Sequence, residues 1–132
     1  MSCTQAQNTR LDDFQWENRL LIIYTRDVKS SQLDNQLAEI IRNNEGYNVR
    51  DLKVILLRDR QVKVWNSEKD NALNFDQTMK ELNIDQSILY YNLLIGKDGG
   101  VKLRSISPIT NKKLFETIDA MPMRQREMRI GN

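Results

Sequence analysis

Hydrophobic residues in this chain fall into short continuous runs and into strictly alternating segments. A continuous apolar run bounded by polar or charged residues occupies residues 20–24, and largely apolar runs occupy residues 52–57 and 90–95. Such runs are typical of strands buried on both faces of a sheet. Residues 61–65 and 101–104 alternate between apolar and polar, which is typical of strands with one exposed face. The pattern therefore predicts five strands.

Apolar residues at helical spacing predict three amphipathic helices between and after these strands. Their apolar positions are Leu33, Leu37, Ile40 and Ile41 in the first helix, Phe75, Met79 and Leu82 in the second, and Leu114, Phe115, Ile118 and Met121 in the third. Ser30 or Ser31 is available to cap the first helix, and residues 43–46 contain the Asn and Gly that end helices. Asp70 or Asn74 is available to cap the second.

The resulting order of elements is β-α-β-(β)-α-β-β-α. The first strand-helix-strand unit should be parallel with a right-handed crossover, and the later strands should complete a sheet of mixed direction. We therefore expect the α/β class and a thioredoxin-like sandwich, with a mixed β-sheet and helices on both faces. A length of 132 residues predicts one domain, which we place at residues 14–130 after a flexible tail at residues 1–13.

Three of the five glycines lie in the stretch LLIGKDGGVKLRS, residues 93–105. A phosphate-binding loop would place its glycines between a strand and a helix N-terminus. The residues after Gly100 alternate with period two instead, which predicts a strand. We interpret Asp98-Gly99 as a hairpin turn, with Gly100 available for a bulge.

The run LLIGKDGGVKLRSISPI, followed by LFETIDAMPMRQREMR, closely resembles the C-terminal part of the P-DUDES family. WENRLLIIYT and Arg58-Asp59 are also similar to that family, and the resemblance covers roughly residues 14–129. The family is an uncharacterised thioredoxin-like, peroxiredoxin-like domain of bacterial proteins and of extracellular equarin and sushi-repeat proteins. The resemblance implies the same fold and no established activity. Export of many bacterial members implies a periplasmic or secreted protein, whereas the chain as given lacks a secretory signal and would be cytoplasmic unless trimmed.

Charge and hydropathy argue against two classes of partner. The net charge is +2, and the excess lies within the last ten residues, which contain Arg124, Arg126, Arg129 and Glu127. A nucleic-acid surface needs a larger basic face, so we expect no nucleic-acid partner. The longest apolar run is too short to cross a bilayer, and we expect no transmembrane segment.

Cysteine and histidine usage argues against the redox chemistry of this fold. Thioredoxin-like enzymes carry a reactive cysteine where the first helix begins, because the helix N-terminus stabilises the thiolate. Residues 25–31 contain no cysteine, residues 84–89 before the third apolar run contain no proline, and the chain has no histidine. Cys3 is the single cysteine, which is either a thiol in a terminal tail or the lipid-attachment residue of a trimmed lipoprotein. We predict no catalytic residue, metal or cofactor.

One cluster of polar residues is a candidate binding site. It comprises Arg26, Asp27, Lys29, Ser30, Arg58 and Asp59. The carboxyl ends of parallel strands and the N-terminus of the following helix meet at one edge of an α/β sheet, so these residues should lie together. Arginines there can bind an anion or a partner's carboxylate. Alternatively, a serine caps the helix and the charges pair with one another.

Three further features have two interpretations each. Arg104 either donates to a ligand or is a strand residue facing solvent, and the segment around Arg124 either binds a partner or is a solvated helix end. Met121, Pro122 and Met123 either form an adaptable binding surface or hold the C-terminal segment on the core. We expect Trp16 and Trp65 to lie in the core or to cover an edge.

The sequence thus favours a non-redox binding module with a protein partner or a small anion as ligand. The alternative is an enzyme of unrecognised type that uses Arg26, Asp27, Arg58 or Asp59. Self-association through the C-terminal segment is a third hypothesis, and the sequence predicts no oligomeric state.

Overall fold

The computed structural model describes residues 10–65 and 73–130, which form a five-stranded sheet of order β3-β2-β1-β4-β5. The strands are β1 (Arg19–Thr25), β2 (Leu52–Arg58), β3 (Gln61–Trp65), β4 (Tyr90–Ile95) and β5 (Val101–Ser105). β1 pairs with β2 in parallel, and the pairs β1–β4, β2–β3 and β4–β5 are antiparallel. The mixed sheet predicted from the apolar runs is confirmed.

In residues 10–65 and 73–130, five α-helices and one short 3₁₀ helix surround the sheet. The 3₁₀ helix spans Leu11–Phe14, and the α-helices are α1 (Ser31–Arg42), α2 (Asn44–Asn48), α3 (Phe75–Leu82), α4 (Asn111–Asp119) and α5 (Pro122–Ile130). Ser30 caps α1, since its side-chain oxygen accepts a hydrogen bond from the backbone N–H of Leu33. Asn74 caps α3 in the same way, and the alternative cap Asp70 lies outside the described residues.

Each face of the sheet carries its own core, because successive residues of a strand point to opposite faces. One core contains Leu21 and Ile23 of β1 and receives α1, α2 and α4. The other contains Leu20, Ile22 and Tyr24 of β1 and receives α3. Helices therefore cover both faces, as predicted.

Helix boundaries differ from prediction at two places. Residues 43–46 do not form a loop, because Asn43 caps the short helix α2 by accepting a hydrogen bond from the Gly46 N–H. The last predicted helix ends at Asp119, and a separate helix α5 begins at Pro122. Proline has no backbone N–H and suits the first position of a helix, so it starts α5 rather than continuing α4.

The glycine stretch forms the hairpin between β4 and β5. Gly99 has φ +87°, and the Gly100 N–H donates to the Asp98 carboxylate at 2.9 Å. A shift of register between Leu94 and Ile95 marks an irregularity in this ladder. The hairpin interpretation is confirmed.

Two other sequence expectations are also answered. Trp65 packs partly buried against the first core, whereas Trp16 is 62% exposed and therefore does not lie in the core. Its backbone φ is +72°, and its N–H donates to the Lys97 carbonyl, which fixes this residue at the surface. In the part of the chain that the structure describes, no helix is long and apolar enough to cross a membrane.

Candidate functional site

The structure brings most of the predicted cluster to the edge where β1 and β2 end. Arg26, Asp27 and Lys29 lie in the loop from β1 to α1, and Arg58 is the last residue of β2. The Arg58 Nη1 atom lies 3.5 Å from the Val28 carbonyl oxygen, so β2 reaches this loop. Ser30 serves as the α1 cap and Arg26 pairs with Asp27 at 3.8 Å, as the alternative interpretation expected.

A shallow cleft of about 150 Å³ lies beside this loop. Its walls include Val28, Arg58, Asp59 and Lys63. The cations at the cleft are Arg58, which contacts the Val28 carbonyl, and Lys63, whose ammonium lies 4.6 Å from the centre of the Trp65 ring. The cleft therefore combines positive charge with the exposed Val28 side chain.

The loop before β4 completes this edge. The Arg26 N–H donates to the Leu89 carbonyl at 2.9 Å, and the Tyr24 hydroxyl donates to the Gln86 carbonyl at 3.2 Å. Burial is the largest of the effects on the pKa of the Tyr24 hydroxyl and raises it. The hydroxyl therefore keeps the proton that it donates in this hydrogen bond. The two loops are therefore joined by hydrogen bonds.

Apolar side chains are exposed along the same edge. Val28 is 58% exposed, Leu89 52% and Ile106 70%. Ile106 belongs here because β5 runs antiparallel to β4 and ends beside the beginning of β4. Isolated exposed apolar residues are common, but these three accompany Arg26 and Arg58 on one edge.

The turn between β2 and β3 has an unusual backbone. Arg58 pairs with Gln61, and the two residues between them have φ +53° at Asp59 and φ +60° at Arg60. A two-residue hairpin of this type requires positive φ at both positions and is usually built from Asn and Gly. Strained positions often accompany functional sites, which links this turn to the neighbouring cleft.

Arg104 and Arg124 do not join the cluster around Arg26 and Arg58. Arg104 donates to the Tyr91 hydroxyl at 3.0 Å, and its pairing with Leu93 places it on the sheet face opposite to Arg58. Arg124 donates to the Val49 carbonyl at 3.0 Å, near the beginning of β2 and thus at the opposite edge. The predicted residues therefore divide among three places.

A second cluster at that opposite edge was missed by the sequence analysis. Arg19, the first residue of β1, is only 1% exposed, and its two terminal nitrogens each lie 3.2 Å from an oxygen of Glu127 on α5. Lys97 is also buried and donates to Glu127 at 2.7 Å and to Asp51 at 2.8 Å. One carboxylate of α5 therefore bridges two buried cations.

The same cluster continues through Asp119 at the end of α4. Arg50 bonds both oxygens of Asp119, at 3.1 and 2.9 Å, and Arg124 bonds one of them at 3.1 Å. Burial alone would raise the pKa of the Asp119 and Glu127 carboxyls, but hydrogen bonds and charge from their basic partners lower the pKa of both. Both groups are therefore carboxylates near neutral pH.

No local pattern in the sequence predicts this cluster. Arg19 and Glu127 are 108 residues apart, and neither belongs to a recognisable motif. The one available signal was that Arg19 directly precedes a fully buried apolar run, so that its side chain starts from a buried strand. Within residues 10–65 and 73–130, no three acidic or thiol side chains are grouped so that they could hold a metal ion.

A family model described as a domain of unknown function, DUF4174, matches residues 10–127. The chain belongs to the DUF4174 family. None of the curated proteins matches it. Membership of DUF4174 brings no activity, so function has to be argued from the site.

Solved structures similar to this DUF4174 domain are thioredoxin-like. The reduced 2-Cys peroxiredoxin of Plasmodium vivax matches with a TM-score of 0.58 and 12% identity, over 92% of this chain and 72% of that chain. A putative thiol:disulfide interchange protein DsbE from Chlorobium tepidum matches with a TM-score of 0.57 and 15% identity, over 83% of each chain. The DUF4174 domain therefore has a thioredoxin-like fold. Because the sequence identities are this low, the similarity shows the fold and nothing about activity.

Proposed function

We propose that this domain is a non-redox binding module that uses the edge formed by the β1–α1 loop. We call this region the carboxyl-edge surface and define it by Arg26, Val28, Arg58, Asp59 and Leu89. The observation that carries the proposal is the contact of Arg58 with the β1–α1 loop, which has charged residues where thioredoxin-like enzymes have their cysteine. The ligand is an acidic protein segment or a small anion.

The non-redox part of the proposal rests on the beginning of α1. A thiol at that position is activated by the free N–H groups of the helix. Here the Ser30 hydroxyl oxygen accepts a hydrogen bond from one of those N–H groups, that of Leu33, and Cys3 lies outside the described residues. The peroxiredoxin and the interchange protein that share the fold are named for thiol chemistry, and we propose that this chain keeps their scaffold without that chemistry.

The choice of an acidic segment rests on the composition of the surface. Arginine binds carboxylates through two parallel hydrogen bonds, and the exposed Val28 and Leu89 offer apolar contact beside it. Interfaces are enriched in arginine and combine apolar centres with polar rims. An acidic segment with apolar residues fits both properties.

A peptide titration tests binding at this surface. A synthetic peptide of alternating Glu and Leu is titrated into the protein, and amide resonances of Val28 and Leu89 are followed by NMR. Arg26→Ala combined with Arg58→Ala should weaken binding by at least about tenfold, since two charge-assisted contacts are lost. Arg42→Ala, at the far end of α1, is the matched control and should bind normally.

The alternative outcomes of this titration are equally specific. Equal affinity for a Lys-Leu peptide, or equal weakening by Arg42→Ala, would contradict the surface. Resonance shifts with inorganic phosphate alone would identify the ligand as a small anion. The non-redox part fails if the protein consumes peroxide or reduces a disulfide substrate at a rate that Cys3→Ser leaves unchanged.

An enzyme of unrecognised type is the second candidate, and the strained turn at Asp59 and Arg60 favours it. In this hypothesis Asp27 and Asp59 act as acids or bases beside Arg26 and Arg58. Any turnover found in a hydrolase or lyase screen should fall in Asp27→Asn or Asp59→Asn. Unchanged turnover in both variants would remove these roles.

The proposal also includes a narrower family relationship and export from the cytoplasm. The resemblance to P-DUDES is proposed as a narrower relationship within DUF4174, and export from the cytoplasm follows from that resemblance. Mass spectrometry of the natural protein would test export, since a trimmed signal or a lipid on Cys3 changes the mass.

A further inference from the structure

A second cavity lies at the opposite edge of the sheet, between the β4–β5 hairpin and the junction of α4 with α5. Its volume is about 480 Å³, within the range of about 300–1,000 Å³ that small-molecule sites occupy. Residues 120–123, which include Met121 and Met123, form its apolar wall. Methionine side chains repack easily around differently shaped ligands.

Two buried cations, Arg19 and Lys97, lie in the wall of the same cavity. Lys97 uses two of its three N–H donors on Asp51 and Glu127. Among the described residues, the Nε atom of Arg19 is buried and has no hydrogen-bond partner. A buried polar atom without a partner is costly, and a ligand oxygen would satisfy it.

The charges around these cations do not balance. The connected ion pairs at this edge contain four cations, Arg19, Arg50, Lys97 and Arg124, but three carboxylates, Asp51, Asp119 and Glu127. Cations taken out of water need compensation, so the cluster favours one additional negative charge. The hydrogen bonds that the Arg19 guanidinium and the Lys97 ammonium donate to Glu127 show that these groups bind carboxylate oxygens.

We propose that this cavity binds a small monocarboxylate with an apolar chain. The carboxylate lies against Lys97 and Arg19 and supplies the missing charge, and the chain lies along Met121 and Met123. An uncharged apolar molecule would leave the charge unbalanced, and a short polar anion would leave the apolar wall without contacts. The site is independent of the carboxyl-edge surface, since it lies at the other end of β1.

Binding of octanoate, used below the concentration at which it forms micelles, tests the proposal by calorimetry. Octanoate should bind, whereas acetate and octanol should each bind at least about tenfold more weakly, because one lacks the chain and the other the charge. Lys97→Met should weaken octanoate binding by about the same factor. Lys112→Met, an exposed lysine of α4 outside the cavity, is the matched control and should bind as the unmodified protein does.

A second variant tests the cavity without removing a buried charge, in case Lys97→Met fails to fold. Ala120→Phe fills the cavity mouth from the exposed end of α4 and leaves all seven charged residues in place. It should abolish octanoate binding while the circular dichroism spectrum and the melting temperature stay close to those of the unmodified protein. Equal affinity for octanoate and octanol, or unchanged octanoate affinity in folded Ala120→Phe, would overturn the proposal.

Discussion

Arg19 and Glu127 form a two-pronged ion pair that joins the first strand to the last helix. Each terminal nitrogen of the Arg19 guanidinium lies 3.2 Å from one oxygen of the Glu127 carboxylate. α5 has no buried residue, so its attachment depends on such polar contacts more than on apolar packing. Glu127 therefore links α5 directly to β1.

Replacement of Glu127 by Gln should destabilise the protein by about 1–3 kcal/mol, because it leaves the buried Arg19 and Lys97 without their shared carboxylate. Chemical denaturation followed by circular dichroism measures this free energy of unfolding. Glu116→Gln on α4 is the control, since Glu116 pairs with exposed Lys112 at 4.0 Å. We expect a loss of at most about 0.5 kcal/mol there, and equal losses in the two variants would contradict the role of Glu127.

The same cluster predicts an acid-sensitive stability. Folding lowers the pKa of Glu127 and Asp119 below their ordinary values of 4.5 and 3.8. A lowered pKa means that the stabilisation is fully present above the ordinary value and is lost as pH falls through the lowered value. The free energy of unfolding should therefore be steady above about pH 5 and fall steeply as pH decreases below about 4.

Denaturation curves from pH 7 to pH 2 measure this dependence. The combined variant Glu127→Gln with Asp119→Asn should start at lower stability and show a shallower acid decline. The other titratable residues are the same in both proteins. A difference between the two proteins in the slope of stability against pH therefore measures the contribution of Glu127 and Asp119. An identical slope in both proteins would show that other groups control the acid response.

Gly99 should be the most sensitive glycine of the β4–β5 hairpin. Its φ of +87° is strained for any side chain, and β-branched residues tolerate it least. Gly99→Val should destabilise by about 2 kcal/mol, whereas Gly100→Val, without positive φ, should cost less. Thermal melting compares the two variants, and a larger shift for Gly100→Val would contradict the turn geometry. The hairpin assignment also predicts no nucleotide binding in the unmodified protein.

The strands and the hairpin were predictable because their signals are local. The buried run at residues 20–24 and the Asp98-Gly99 turn each specify a structure within a few residues. The meeting of Arg58 with the β1–α1 loop was predictable from topology, since parallel neighbouring strands end at the same edge. The position of Arg124 was not, because Asp119 and Val49 hold it through contacts that depend on how α5 docks.

The cluster around Arg19 could not be predicted for a related reason. A charged residue before a strand is ordinarily assigned to the surface. Arg19 is buried because Glu127 and the Arg50 carbonyl supply its hydrogen bonds from distant parts of the chain. Tertiary packing decides such pairs, and a single sequence carries no signal for them.

Arg60 allows a clean measurement of the strain beside the carboxyl-edge surface. Its φ is +60°, and its exposed side chain pairs with Asp76 at 2.8 Å. Arg60→Gly and Arg60→Ala both remove that ion pair, but only glycine adopts positive φ without cost. Arg60→Gly should therefore be more stable than Arg60→Ala by about 1 kcal/mol in chemical denaturation, and equal stabilities would show that the turn is unstrained. Alanine restricts the backbone of the turn more than glycine does. If the strained turn holds Arg58 and Asp59 in place for a ligand, the affinity of the Glu-Leu peptide for Arg60→Ala should therefore equal or exceed its affinity for Arg60→Gly.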